Sequence, residues 1–280
     1  MALTLRGNGQ ITSDNYTIDS DGDVTVGGTL GVTGDATFDT STLKVDATNN
    51  RVGIGTATPS KVLDITQSTS DDNANVKLTY AGGDGNRSGF ILNNTHTGGR
   101  EYGIYAGNNS TGGGLGNSLG ISDNTASTAY RLLISSEGAV TMPYQPSFGA
   151  YQASANYNVA AGTHKMIIDG VRWNEGSHYS TANSKFTAPI NGVYHFSAHV
   201  NRYSVADDYF FTIQFYVNGS SHTMGSRLYS RGGTDLVASM SHTIKLTAND
   251  YVEVYTYSND TSSGFSQGGT WNTFSGFLVG

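Results

Sequence analysis

Alternating apolar and polar positions dominate the second half of this chain, and period-two alternation predicts strands. The stretch Phe274-Ser275-Gly276-Phe277-Leu278-Val279-Gly280 departs from the pattern, because large apolar residues fall on both of its faces. Such a strand has to be covered twice. The core of its own domain supplies one cover, and a neighbouring copy of the chain is the simplest second one. Upstream, Phe211, Ile213, Phe215 and Val217 are expected to face the core together with Val252 and Val254. The opposite faces carry Phe210 and Tyr216, then Tyr251, Tyr255 and Tyr257, which with Phe277 are the candidates for packing between subunits.

The first half reads differently. Three short repeats, Ile18 to Val26, Val45 to Ile54 and Ile134 to Met142, place Asp-Gly, Asn-Asn or Glu-Gly between alternating residues, and each predicts a small hairpin. Val24 to Phe38 forms short strands with one thin apolar stripe and glycines at the turns. A single stripe does not offset its backbone entropy, whereas three chains wound on a common axis bury theirs. Val76 to Tyr80, Gly89 to Leu92, Tyr102 to Tyr105 and Leu132 to Ser135 are further predicted strands of a small β-module, with Gly107 to Gly120 as a mobile loop. Pro143-Tyr144-Gln145-Pro146 breaks regular structure and marks the boundary of the last domain.

Composition narrows the function. The 280 residues include 37 glycines, 17 tyrosines and no cysteine, so a disulfide framework, a thiolate metal site and a cysteine nucleophile are excluded. A net charge of −7 without a Lys/Arg cluster argues against nucleic acid as a partner. No apolar run reaches a membrane span, so no membrane insertion is expected, and the start lacks the layout of a secretion signal, so release by lysis is expected.

Candidate chemistry is sparse. Asp19-Ser20-Asp21-Gly22-Asp23 superficially suggests a calcium loop, but its glycine is misplaced and no bidentate Glu follows, so a plain turn is the better reading. Gly264-Phe265-Ser266-Gln267-Gly268 matches a nucleophile elbow without its strand and helix, which makes it a surface loop. His195 and His199 share a strand face roughly 14 Å apart, too far for one metal within a chain. Around a threefold axis each would meet its own copies, which leaves an axial ion or an interfacial polar pair. The Gly107 to Gly120 tract lacks a Gly-Lys-Ser/Thr ending and cradles no phosphate. No catalytic residue, metal site or cofactor is expected.

Two resemblances add to this reading. Lys185-Phe186-Thr187-Ala188-Pro189-Ile190-Asn191-Gly192-Val193-Tyr194-His195-Phe196, the aromatic strand Phe210 to Val217 closed by Asn218-Gly219, and the terminal Phe-Ser-Gly-Phe-Leu resemble the trimeric jelly-roll head of complement subcomponent q and tumour necrosis factor proteins. Asn249-Asp250 stands where that family usually has Gly-Asp, and no collagen-like stalk precedes the head. Arg51-Val52-Gly53-Ile54-Gly55-Thr56 with Pro59-Ser60 and Leu63-Asp64-Ile65 resembles a recurring run of bacteriophage tail fibres.

The fold class expected is all-β: a fibrous trimeric shaft with hairpins over 1–65, a small β-module over 66–146, and a jelly-roll head over 147–280. The function implied is a homotrimeric phage fibre or spike that binds a host-surface glycan or protein and docks on another virion protein through its N-terminus. It would be assembled in the host cytoplasm and be no enzyme. The alternative is a structural head-fibre, decoration or adaptor protein, and a glycan depolymerase ranks last. If strands alternate direction, Ala188 to Gly192, Asn218-Gly219 and Ala248 to Asp250 share the base with both ends of the head. Asn201 to Asp208, Ser230 to Asp235 and Asn259 to Thr270 then form the tip. The receptor candidates there are Arg202, Tyr203, Asp207, Asp208, Arg231, Asp235, Asp260 and Phe265.

Overall fold

The computed structural model of the protein describes residues 16–18, 24–26, 31–38, 42–66, 76–79, 87–107, 117–125, 129–232, 234–261, 263–265 and 270–280. Every regular element among them is a strand. The chain divides into two compact units, Met1–Leu78 and Thr79–Gly280.

In the first unit, β1 (Tyr16–Ile18) and β2 (Val24–Val26) form an antiparallel hairpin with Ile18 opposite Val24, as the first repeat predicts. The acidic turn of that repeat, 19–23, lies outside the described residues. Next come β3 (Ala36–Phe38), β4 (Leu43–Asp46), β5 (Arg51–Ile54) and β6 (Leu63–Ile65), hydrogen-bonded in that order. The β4–β5 pair is the second repeat, and its turn is closed by Asn50 at φ +53°.

The β5–β6 pair is parallel, which ordinarily takes a crossover of a dozen or more residues, yet only 55–62 connect the two strands. Glycines make the short path possible. Gly55 sits at φ +77°, where a Cβ would lie 1.9 Å from the Thr66 carbonyl oxygen. Arg51 Nη1 donates to the Pro59 carbonyl at 2.8 Å, and the Ser60 amide and hydroxyl donate to Asp64 Oδ2 at 2.7 and 2.9 Å. The fibre-like run is thus a glycine-tightened strand, loop and strand.

The second unit begins with β7 (Ser88–Asn93), β8 (Glu101–Ala106), β9 (Leu119–Asp123), β10 (Ala129–Ile134) and β11 (Val140–Thr141), an antiparallel meander in chain order. The third repeat is its β10–β11 hairpin, turned at Gly138 with φ +83°. Two expectations need correction. Residues 76–79 are not a strand, and Leu119 to Asp123, whose start reads as part of a loop in the sequence, is one. Register explains the second: Leu119 and Ile121 fall opposite Ala106 and Ile104, so pairing carries the alternation past the glycines.

The head comprises β12 (Ser147–Tyr151), β13 (Tyr157–Asn158), β14 (Gly162–Lys165), β15 (Gly170–Glu175), β16 (Tyr179–Ser180), β17 (Lys185–Thr187), β18 (Gly192–Val205), β19 (Phe210–Val217), β20 (Ser220–Tyr229), β21 (Thr234–Leu246), β22 (Tyr251–Ser258), β23 (Gly264–Phe265) and β24 (Thr273–Leu278). One sheet runs β21-β18-β24-β12-β15, with β23 and β13 extending beside the far half of β18. The other runs β16-β17-β22-β19-β20, with β14 also on β22. Most neighbours are distant in sequence, the mark of a jelly roll.

The core lies between these sheets. Phe148, Phe186, Tyr194, Phe196, Phe215 and Phe274 meet in one aromatic cluster, with Phe148 stacked on Phe186 at 5.1 Å. Phe211, Ile213, Phe215, Val252 and Val254 are buried as their alternation requires, and Val217 packs at the edge. The terminal strand is central, with β18 and β12 on its two sides. Phe274 is buried, whereas Phe277 points the other way and is 48% exposed.

Candidate receptor-binding surface

Turn chemistry sets the two ends of the sandwich. Asn218 and Gly219, at φ +51° and +77°, make the two-residue turn between β19 and β20. Asn218 Nδ2 donates to Asp250 Oδ1 at 2.7 Å, and the Ala248 amide donates to Asn191 Oδ1 at 2.8 Å, so the three tight turns share one end. The Asn218 contact, with the Thr247 amide, holds the Asp250 carboxyl below its ordinary range. Asn249 takes φ +76°, the left-handed conformation that glycine would otherwise provide. Ser147 lies opposite Phe277 and the Val193 amide bonds the Gly280 carbonyl, so both ends of the head lie here as well.

The three longer connections meet at the opposite end. Asp207 Oδ1 accepts from the Gly232 amide at 2.8 Å, Asp235 Oδ1 from the Ser204 amide at 3.0 Å, and Asp260 Oδ2 from the Ala206 amide at 3.0 Å. Ser204 and Asp208 adopt positive φ of 55° and 63° to make these turns. Asp207, Asp208, Arg231 and Asp235 are exposed there, and half-buried Tyr203 donates to Asn158 Oδ1 at 2.6 Å.

Arg202, Asp260 and Phe265 are not surface groups, contrary to expectation. All three are at most 1% exposed. Strand β18 runs on to Val205, so Arg202 keeps the inward parity of Tyr194, Phe196, Ala198 and Val200. Its Nε donates to Ser263 Oγ at 2.6 Å, its Nη2 to the Asp260 carbonyl at 3.1 Å, and its guanidinium lies 5.3 Å from the Phe265 ring. Burial pulls its pKa down, opposed by the nearby Asp260 charge, and Nη1 has no partner. This buried group ties the tip loops to the sandwich and is closed off from the surface. Nearby, Asn272 joins in through Gln152, at 2.8 Å, and the Asn201 amide, at 2.7 Å.

The subunit-contact candidates fall on two opposite faces. Phe210, Tyr216, Tyr251, Tyr255 and Tyr257 line the outer face of β19 and β22, where Tyr216 stacks on Tyr255 at 3.9 Å, Lys185 lies over Tyr251, and Arg227 lies over Phe210. Phe277 lies on the outer face of the other sheet beside His195, at 5.5 Å. His195 Nδ1 contacts Thr243 Oγ1 at 3.3 Å, and His199 Nδ1 donates to the Trp271 carbonyl at 2.8 Å. Trp173 and Trp271, half-exposed on this side, belong to no motif of the sequence; Trp173 lies across Gly149 on the neighbouring strand. Residues 266–269, which include the serine of the elbow-like pattern, are outside the described residues.

Residues 150–279 match the C1q domain family. The globular domain of zebrafish complement 1qA protein is similar at 16% identity and a TM-score of 0.37, over 49% of this chain and 98% of that one. Murine APRIL is similar at 7% identity and a TM-score of 0.37, over 48% and 99%. No curated protein matches the chain. The residues matched by the family model coincide with the jelly-roll head, β12 to β24.

Proposed function

We propose that this protein is a homotrimeric bacteriophage fibre or spike that attaches the virion to a host-cell surface glycan or protein through the loop end of its head. Domains of this kind are often trimeric, bind receptors and are typically non-enzymatic. The fibre-like run Arg51 to Ile65 and the hairpin repeats support the virion assignment. In this reading residues 1–65 are a trimeric shaft whose N-terminal region docks on another virion protein, and the particle is assembled in the host cytoplasm and released by lysis.

The observation that carries the proposal is the meeting of three connections at the end of the sandwich remote from Ser147 and Gly280. Surface loops held on a rigid frame suit recognition. The contact set reduces to Tyr203, Asp207, Asp208, Arg231 and Asp235, repeated threefold so that weak contacts gain avidity. A cyclic trimer joins each copy to its neighbours through two different surfaces, so the Phe277 face and the tyrosine face both contribute.

One observation favours a structural cap instead: Asp207 and Asp235 already accept backbone amides of the neighbouring loops, which stiffens the tip. Competition with host cells separates the readings. Tyr203→Ala with Arg231→Ala and Asp208→Ala should weaken adsorption at least about tenfold at unchanged oligomer mass. Undiminished adsorption would give the case to the cap.

A further inference from the structure

The β7–β11 sheet has two unlike faces. On one, Tyr105 lies over Gly103 and Gly89, the Arg87 guanidinium sits 3.9 Å above the Tyr105 ring, and Arg87 Nη1 donates to the Tyr130 hydroxyl at 2.7 Å. Asn124 Nδ2 donates to the Tyr105 hydroxyl at 2.8 Å. Tyr105 and Tyr130 are buried by these neighbours, so most of that face is covered by its own side chains, with Ile91 left exposed on it.

The other face is exposed and apolar. Pairing puts Phe90, Ile104 and Ile121 in one row across three strands, with Leu92, Leu119 and Val140 flanking it. All six are exposed, from 36% at Ile121 to 61% at Leu92. Charge is confined to one end, where Asp123 is buried between Arg100 and Arg131.

We infer that this face is an interface between copies of the chain, in which three β7–β11 sheets turn their apolar rows to one axis and enclose a core none has alone. The inference rests on the homotrimer proposed above. The six side chains leave on the order of 500 Å² of apolar surface, near the most a stable monomer leaves in one patch. With its rim the face approaches the roughly 800 Å² per partner of a standard interface. A single-layer sheet whose cluster holds two buried residues needs its cover in order to fold, and the partner always available at folding is another copy.

The tether points the same way. Only 142–146 separate β11 from β12, a reach of about 17 Å, and Gln145 Nε2 donates to the Leu278 carbonyl while the Leu278 amide donates to the Pro146 carbonyl. Trimerised heads therefore hold three such faces at high effective concentration.

The cysteine-free chain permits a direct test. Ile104→Cys, Ile121→Cys and Phe90→Cys are made singly in the full protein, with Thr141→Cys on the exposed opposite parity as the reference. Native maleimide labelling at the first three should be roughly a hundredfold slower than at Thr141→Cys, with the difference abolished in denaturant. Mild oxidation should link chains only at the first three. A trimer by light scattering that labels freely at all three overturns this inference and leaves the trimer standing. Protection without interchain linkage assigns the face to another occupant and overturns it too. A monomer defeats both readings.

Discussion

The head and the β7–β11 sheet share the same local grammar of antiparallel strands with alternating side chains, yet one encloses a core and the other leaves most of its apolar residues in the open. In the head, two sheets lie face to face, and among the described residues 21 buried hydrophobics form one cluster in which a single strand, β18, contributes four. Among the described residues of the β7–β11 sheet, the only buried hydrophobics are Tyr105 and Tyr130. Alternation makes a two-faced ribbon; a second layer decides whether the apolar face is inside. Both regions also use one device where backbones lie close, an aromatic ring across a glycine. Tyr105 covers Gly103, Trp173 covers Gly149, and Phe196 lies against Gly276, in each case where a Cβ would fall within 2.5 Å of the ring.

The contrast is most easily broken in the head. Phe196→Ala removes the ring that touches Phe186, Phe215 and Phe274 and should cost about 3–5 kcal/mol in denaturant unfolding. A loss below about 1 kcal/mol would mean that the aromatic cluster is not the centre of stability.

Alkali should come next. Burial raises the Tyr157 hydroxyl to about 12, against the opposing bond from the Ile167 amide, and burial raises Tyr179 further. An unfolded tyrosine ionises near 10, so above that pH the folded head holds protons that the unfolded chain releases, and stability falls as pH rises from about 10 towards 12. Allowing for the partial exposure of Tyr157, roughly 2 kcal/mol should be lost between pH 9.5 and 11. Tyr157→Phe with Tyr179→Phe should flatten that slope; an unchanged slope would place the sensitivity elsewhere.

The smallest effect belongs to the sheet. Gly103→Ala would put a methyl 2.0 Å from the Tyr105 ring and lift the ring off its glycines. It should cost about 1 kcal/mol and raise hydrogen exchange in β7–β9 while leaving β18 and β22 unchanged. Faster exchange in both regions would show that they unfold as one.

Much of the fold is legible in the amino-acid sequence. The inward residues of β19 and β22, the Asn-Gly turn, the three hairpins and the sorting of loops to two ends all follow from alternation and turn chemistry, which act between near neighbours. The tip is only half legible. Tyr203, Asp207, Asp208, Arg231 and Asp235 lie where alternating strand direction puts them, and Arg202, Asp260 and Phe265 do not. The parity of Arg202 with Val200 is plain in the sequence, but its meaning depends on β18 continuing to Val205.

By itself the sequence determined the class of element, the faces of the strands and the places where the chain turns, because these depend on sterics and polarity over a few residues. The tertiary structure decided which charges were drawn inside. Arg202 is tolerated in the interior because Ser263 and the Asp260 carbonyl return from some sixty residues away to meet it. It also decided which apolar faces were left exposed, since cover depends on a second layer and, among the described residues, Phe90, Leu92, Ile104 and Ile121 of β7–β9 remain exposed in the folded chain.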